Sequence, residues 1–207
     1  MKKNFTCLLI SSICLFLYSC GKEEEPFFSV DNTAPVIAEV TAVTTPTNDN
    51  TPNYTFSSTE SGSIAFEGSC SSSTKSADSG DNTITLSSLS DGTYSDCAIT
   101  VTDRALNESN LLTLTSFFVD STASTLVETT AIASSTNDST PDYTFVSSEA
   151  GTITYSGSCS SSTTSVIAGT NIITFNSLSE GTYSDCKITI TDSLGNAVTL
   201  NIGSFVI

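Results

Sequence analysis

Apolar and polar residues alternate along this chain in short runs. In Tyr54-Thr55-Phe56, Tyr143-Thr144-Phe145 and Ile188-Thr189-Ile190-Thr191 the side chains change character at every step. A period of two puts the apolar set on one face of an extended strand, whereas a helix would need spacings of three and four. Gly, Asn, Asp and Ser interrupt the runs, as turn formers do. In the second half of the chain the pattern predicts strands at about 126–133, 142–146, 152–155, 172–175, 183–191 and 197–206. The serine-rich stretch after Cys159 has room for one more. In the 183–191 strand, Cys186, Ile188 and Ile190 share one face, and Thr189 and Thr191 take the other. Abundant Ser and Thr, scarce Lys, Arg and Met, and recurrent Val, Ile, Phe and Tyr agree with an all-β fold.

The chain also repeats itself. A shift of 89 residues aligns its halves without a gap from Asp31/Asp120 to Leu111/Leu200, with more than half the positions identical. Shared landmarks include Thr47-Asn48-Asp49 with Thr136-Asn137-Asp138, Gly68-Ser69-Cys70 with Gly157-Ser158-Cys159, and Gly92-Thr93-Tyr94-Ser95-Asp96-Cys97 with Gly181-Thr182-Tyr183-Ser184-Asp185-Cys186. The period is a whole small domain. It divides the chain into a leader at 1–19, a tether at 20–30, repeat 1 at 31–119 and repeat 2 at 120–207. Repeat 1 has Leu106 where repeat 2 has Gly195, so its last hairpin turn is expected to be looser or differently shaped.

The leader has a positive start at Lys2 and Lys3, an apolar stretch from Cys7 to Phe16, and a close at Leu17-Tyr18-Ser19-Cys20. The apolar stretch is too short to span a bilayer as a helix. The segment resembles a bacterial lipoprotein signal, cut before a cysteine that then receives lipid. That resemblance implies a membrane partner through an anchor at Cys20. The next residues, Gly21-Lys22-Glu23-Glu24-Glu25-Pro26, read as a charged spacer, and their Lys-Glu-Glu core resembles the surface-export signal of lipoproteins in the Bacteroidetes group. The expected location is the cell envelope, at the outer membrane.

Charge narrows the list of partners. The chain carries 6 basic and 22 acidic side chains, a net charge of −16. Nucleic acid is excluded, because phosphate binding requires a basic face. There is no histidine, so neither a Ser-His-Asp triad nor a histidine-ligated metal can form, and no glycine-rich phosphate loop is present. No enzyme is expected, since the recurrent acidic residues read as turn formers rather than as a catalytic carboxylate pair.

Of seven cysteines, Cys7 and Cys14 fall in the leader and Cys20 is the one that the lipoprotein resemblance implies is lipidated. The other four supply one pair per repeat. Four cysteines allow three connectivities, and the repeat makes Cys70–Cys97 with Cys159–Cys186 the economical one. Zinc would want closer cysteines or histidine partners, and a redox pair would want cysteines two residues apart.

The run Leu178-Ser179-Glu180-Gly181-Thr182-Tyr183, the run Ile188-Thr189-Ile190-Thr191-Asp192-Ser193-Leu194-Gly195-Asn196, and Val30-Asp31-Asn32-Thr33-Ala34-Pro35 at a domain start resemble the bacterial immunoglobulin-like tandem repeats of surface proteins and adhesins. The resemblance implies two antiparallel β-sandwiches. It implies a role in adhesion or as a spacer, with a protein or glycan partner at the cell surface. Capture of a carbohydrate or peptide ligand, or a periplasm-facing assembly scaffold, are the alternatives. Counting strands up and down gathers Asp120, Glu149, Asp192 and Asn196 at one pole of repeat 2, and Asp31, Glu60, Asp103 and Asn107 at the matching pole of repeat 1. Asp49 and Asp91 come to the opposite pole of repeat 1. Hard oxygen ligands converging at a domain junction are what calcium requires, and related surface repeats use calcium there.

Overall fold

The computed structural model describes residues 30–207. Residues Asn32–Ile207 form one compact unit. The leader, Cys20 and all but the last residue of the tether lie outside the described residues.

The described residues are all-β, without a helix. In repeat 1 the strands are β1 (Ile37–Thr41), β2 (Asn53–Ser58), β3 (Gly62–Glu67), β4 (Ser76–Ala77), β5 (Gly80–Thr85), β6 (Gly92–Tyr94), β7 (Ala98–Thr102), β8 (Leu112–Thr113) and β9 (Phe117–Val119). In repeat 2 they are β10 (Leu126–Thr130), β11 (Asp142–Ser147), β12 (Gly151–Ser156), β13 (Ser165–Val166), β14 (Gly169–Thr174), β15 (Thr182–Tyr183), β16 (Lys187–Thr191), β17 (Ala197–Asn201) and β18 (Phe205–Val206).

Each repeat builds one sheet in the order β1-β2-β5 or β10-β11-β14, and a second in the order β4-β3-β7-β8 or β13-β12-β16-β17. A short ribbon, β6-β9 or β15-β18, closes the end. No sheet mixes strands of the two repeats, and these strands pair antiparallel throughout. The β1–β2 ladder and the β10–β11 ladder slip at the same place, between Glu39 and Thr41 and between Glu128 and Thr130.

The period of two has its physical consequence in the packing. Tyr54 and Phe56 of β2 face Ile64 of β3 and Ile99 and Val101 of β7 in one apolar cluster, and Tyr143, Phe145, Ile153, Ile188 and Ile190 do the same in repeat 2. The two clusters share no residue. Two sheets with their apolar faces turned inward make a β-sandwich. Phe56 and Phe145 are fully enclosed, and cutting either to alanine would cost about 3–5 kcal/mol. Tyr143 and Phe145 are core residues, and Tyr155 packs half-buried against them.

Four sequence expectations need correction. The predicted strand at 183–191 is two strands, β15 and β16, which pair in different sheets. The chain changes sheet at Ser184-Asp185-Cys186, where Asp185 turns back to accept hydrogen bonds from Ser158 N–H and Oγ at 3.2 and 3.0 Å. The predicted strand at 197–206 likewise divides into β17 and β18. The serine-rich connection does hold an extra strand, β13, so each repeat has nine strands where six or seven were expected. Finally, the Leu106 turn is not differently shaped. Leu106 adopts φ +70° and Gly195 φ +95°, and both turns close through the same main-chain bonds, Asp103 N–H to Asn107 and Asp192 N–H to Asn196. The repeats diverge after the turn, where β8 has 2 residues and β17 has 5.

Candidate functional site

The cysteine pairing read from the repeat is present. Cys70 bonds Cys97 and Cys159 bonds Cys186, with Cα atoms 5.2 and 5.3 Å apart. Each bridge joins the loop after β3 or β12 to the residue before β7 or β16, so it fastens neighbouring strands of one sheet. Cys159 lies beyond the end of β12, because Gly157 turns the chain at φ +81°. A Cβ at Gly157 would collide with the Asp185 carbonyl, and one at Gly68 with that of Asp96, so only glycine admits this close approach.

The pole of repeat 2 gathers the residues expected there. Asp120, Glu149 and Asp192 each offer a carboxylate oxygen, and these oxygens lie within 4.8 Å of one another. Asn196 donates from Nδ2 to the Asp120 carbonyl at 2.9 Å and to Asp192 Oδ2 at 2.8 Å. Asp192 Oδ1 accepts the N–H of Leu194 and of Asn196. Burial pushes the Asp192 carboxyl up, but bonds from the Asn196 side chain and from the main chain of Leu194, Asn196 and Gly195 outweigh it and leave the group below the usual carboxylate range. Ser124 Oγ reaches Glu149 Oε2 at 3.3 Å.

In repeat 1, Asp103 and Asn107 form the same turn. Asn107 donates its N–H and Nδ2 to the two Asp103 oxygens at 2.9 and 2.8 Å. The Asn107 side chain, against an opposing push from burial and aided by nearby N–H groups, holds the Asp103 carboxyl low. Glu60 accepts Ser58 Oγ on its carbonyl at 2.6 Å, as Glu149 accepts Ser147 Oγ. Asp31 precedes the compact unit of residues Asn32–Ile207.

Calcium takes six to eight oxygens. Three carboxylates at the repeat 2 pole fit part of such a shell, while Asn196 turns an amide nitrogen, a donor, toward the group. Main-chain oxygens or water would have to complete it.

Between the repeats, the linker is held from both sides. Asp120 N–H donates to the Thr47 carbonyl at 2.9 Å. Asp91 Oδ1 accepts Ser121 N–H at 2.7 Å and Ser121 Oγ at 3.0 Å. The Ser121 N–H and the Thr122 hydroxyl, against burial, lower the Asp91 carboxyl. Gly195 of repeat 2 has Asn48 of repeat 1 as its neighbour. Asp49, in the same loop as Thr47 and Asn48, accepts hydrogen bonds from Thr51 N–H and Oγ1. Ser121 and Ser124 were not singled out from sequence. The signal for them is the departure of repeat 2 from repeat 1 at its start, where Ser121 and Ser124 replace Asn32 and Pro35.

No protein-family model matches the sequence, and no curated protein matches it. Among solved structures, the chain is similar to the Bacteroides ovatus mixed-linkage glucan utilization locus protein SGBP-B in complex with mixed-linkage heptasaccharide, at 15% identity and a TM-score of 0.21. The match covers 74% of this chain and 41% of that one.

Proposed function

We propose that the chain is a non-enzymatic module of the cell envelope, lipid-anchored at Cys20, in which two disulfide-stapled immunoglobulin-like repeats act in adhesion or as a spacer. The observation that carries this reading is the junction. The linker residues Asp120 and Ser121 are hydrogen-bonded by Thr47 and Asp91 of repeat 1 and by Asn196 of repeat 2. Two sandwiches joined this way project as a unit rather than as beads on a free string. The acidic tether and the lipid, which adds about 0.8 kcal/mol of membrane affinity per buried methylene, would hold that unit at a bilayer surface. A divalent cation drawn by Asp120, Glu149 and Asp192 would stiffen the same junction.

The test is protease shaving and antibody labelling of intact cells, with lysed cells as control. Labelling and cleavage on intact cells is the expected result. Access only after lysis would overturn the surface role and leave an inward-facing scaffold.

A further inference from the structure

Repeat 2 contains a long segment without charge. From Ala150 to Ser179 no acidic or basic side chain occurs, whereas the matching segment of repeat 1, from Ser61 to Ser90, carries Glu67, Lys75, Asp78 and Asp81. Both segments fold into the same three strands, β12 to β14 and β3 to β5. The sandwich therefore requires neither the charges nor their absence.

The segment includes a strand with one open side. β14 is the last strand in the order β10-β11-β14 and pairs only with β11. Phe175 N–H reaches the Pro141 carbonyl next to β11, while the Thr174 carbonyl accepts Ser161 Oγ at 2.7 Å from the other side. Main-chain groups alternate sides along an antiparallel strand, so Thr170 and Ile172 turn their N–H and C=O outward as Thr174 does. Ser161 covers the Thr174 end, where Asp142 of β11 is also engaged by Thr174 Oγ1 at 2.6 Å. The stretch 170–172 is left as a bare edge, of the kind that proteins shield with a charge. Repeat 1 has that shield: Asp81 stands where repeat 2 has Thr170, and Asp78 where it has Ile167.

Apolar side chains gather at the same edge. Ile172 is 65% exposed and Ile167 64%, and Val146 and the exposed Val127 continue the outer face across β11 and β10. Repeat 1 has Thr83, Asp78, Ser57 and Ala38 at these positions. Its own exposed valines, Val36 and Val40, lie along β1 at the opposite margin of the sheet. At β14 the differences all run one way, toward an edge strand that is uncharged and flanked by aliphatic side chains.

We propose that β14 pairs edge to edge with β14 of a second copy of this chain, antiparallel about a two-fold axis at Asn171. Thr170 of each copy then faces Ile172 of the other and exchanges both main-chain hydrogen bonds with it. The two three-stranded sheets become one of six strands, and Val127, Val146 and Ile172 form an apolar band across the seam. A second copy is the occupant that charge selects. Elsewhere a net charge of −16 sets two copies against each other, and this edge lets them meet without opposing carboxylates. In repeat 1 the same pairing would bring Asp81 of both copies beside one seam, so β5 stays single. The pairing stands on repeat 2 alone and does not depend on the lipid anchor or on the surface role.

The test is sedimentation equilibrium of the full chain from micromolar to millimolar concentration, with amide hydrogen exchange followed by NMR at both ends of the range. A monomer–dimer equilibrium is expected, and exchange at the Thr170 and Ile172 amides should slow as the dimer forms, while exchange at Asp81 and Thr83 does not. Thr170→Asp combined with Ile172→Thr, the residues that repeat 1 carries at these positions, should raise the dimer dissociation constant at least about tenfold. An unchanged melting curve would report that this variant folds. Ile167→Asp, which lies outside the strand, is the second variant and should weaken the dimer in the same direction. A chain that sediments as a monomer throughout, a dimer in which Thr170 and Ile172 exchange as they do in the monomer, or variants that dimerise like the parent would overturn the proposal. Slowed exchange at Thr170 and Ile172 of a monomer on addition of phosphatidylcholine vesicles would assign the edge to a lipid surface and overturn it as well.

Discussion

Repeat 1 and repeat 2 have the same strand order, the same bulge and the same bridge, yet they present different surfaces to solvent. On the outer face of the first sheet, repeat 2 exposes Val127 and Ile172 where repeat 1 has Ala38 and Thr83. Repeat 1 carries Lys75 and Arg104 where repeat 2 has Thr164 and Ser193. At the pole, Leu106 stands 82% exposed in a left-handed conformation that its counterpart Gly195 adopts freely. The inward positions scarcely differ in kind: Tyr54, Phe56 and Ile64 in one repeat are Tyr143, Phe145 and Ile153 in the other. Packing constrains the inward positions of both repeats, and the outward ones vary more freely.

The comparison breaks most sharply at the bridges. Each closes a separation of 27 residues, and loop-closure entropy assigns it about 3.5 kcal/mol. Replacing Cys70 and Cys97 with serine should lower the melting of repeat 1 by that amount and leave repeat 2 near its original transition, with the converse for Cys159 and Cys186. Calorimetry on the full chain would show two separated transitions. A single transition that moves as a whole would mean that the junction couples the sandwiches into one folding unit.

Exchange of the turn residues sharpens the comparison on a smaller scale. Leu106→Gly should stabilise repeat 1 by about 1 kcal/mol, because a non-glycine residue with positive φ carries roughly that strain. Gly195→Leu should destabilise repeat 2 by a similar amount and bring a side chain toward Asn48 across the junction. Equal melting of Leu106→Gly and the parent chain would show that the backbone there carries no strain.

The smallest effect concerns cations. Adding calcium should raise the melting temperature of repeat 2 by a few degrees, and Glu149→Gln should abolish the rise. A melt and a scattering profile that are the same with calcium and with chelator would make Asp120, Glu149 and Asp192 a turn that carries charge and nothing more.

Much of this was readable in the sequence, and the unreadable parts have physical reasons. Tyr143, Phe145, Ile188 and Ile190 announce their burial through spacing, because alternate positions on a strand share a face. Asp120, Glu149 and Asp192 could be brought together by counting strand directions, since an antiparallel meander alternates its poles. The breaks at Ser184-Asp185-Cys186 and before Phe205 show only as a change of parity: Tyr183 and Cys186, like Ile202 and Phe205, are three residues apart and all pack on the core, which a single strand of period two does not allow.

The position of the two bridges bears on how the protein would respond to a pull. If the chain were held on one side of the two repeats and drawn from the other, an opened sandwich could release its residues only up to the cross-link. The 27-residue separation spanned by each bridge would stay shut, which withholds roughly 90 Å of contour length per repeat at about 3.4 Å per residue. A tether made of such units lengthens little under load, even after its hydrophobic packing has failed.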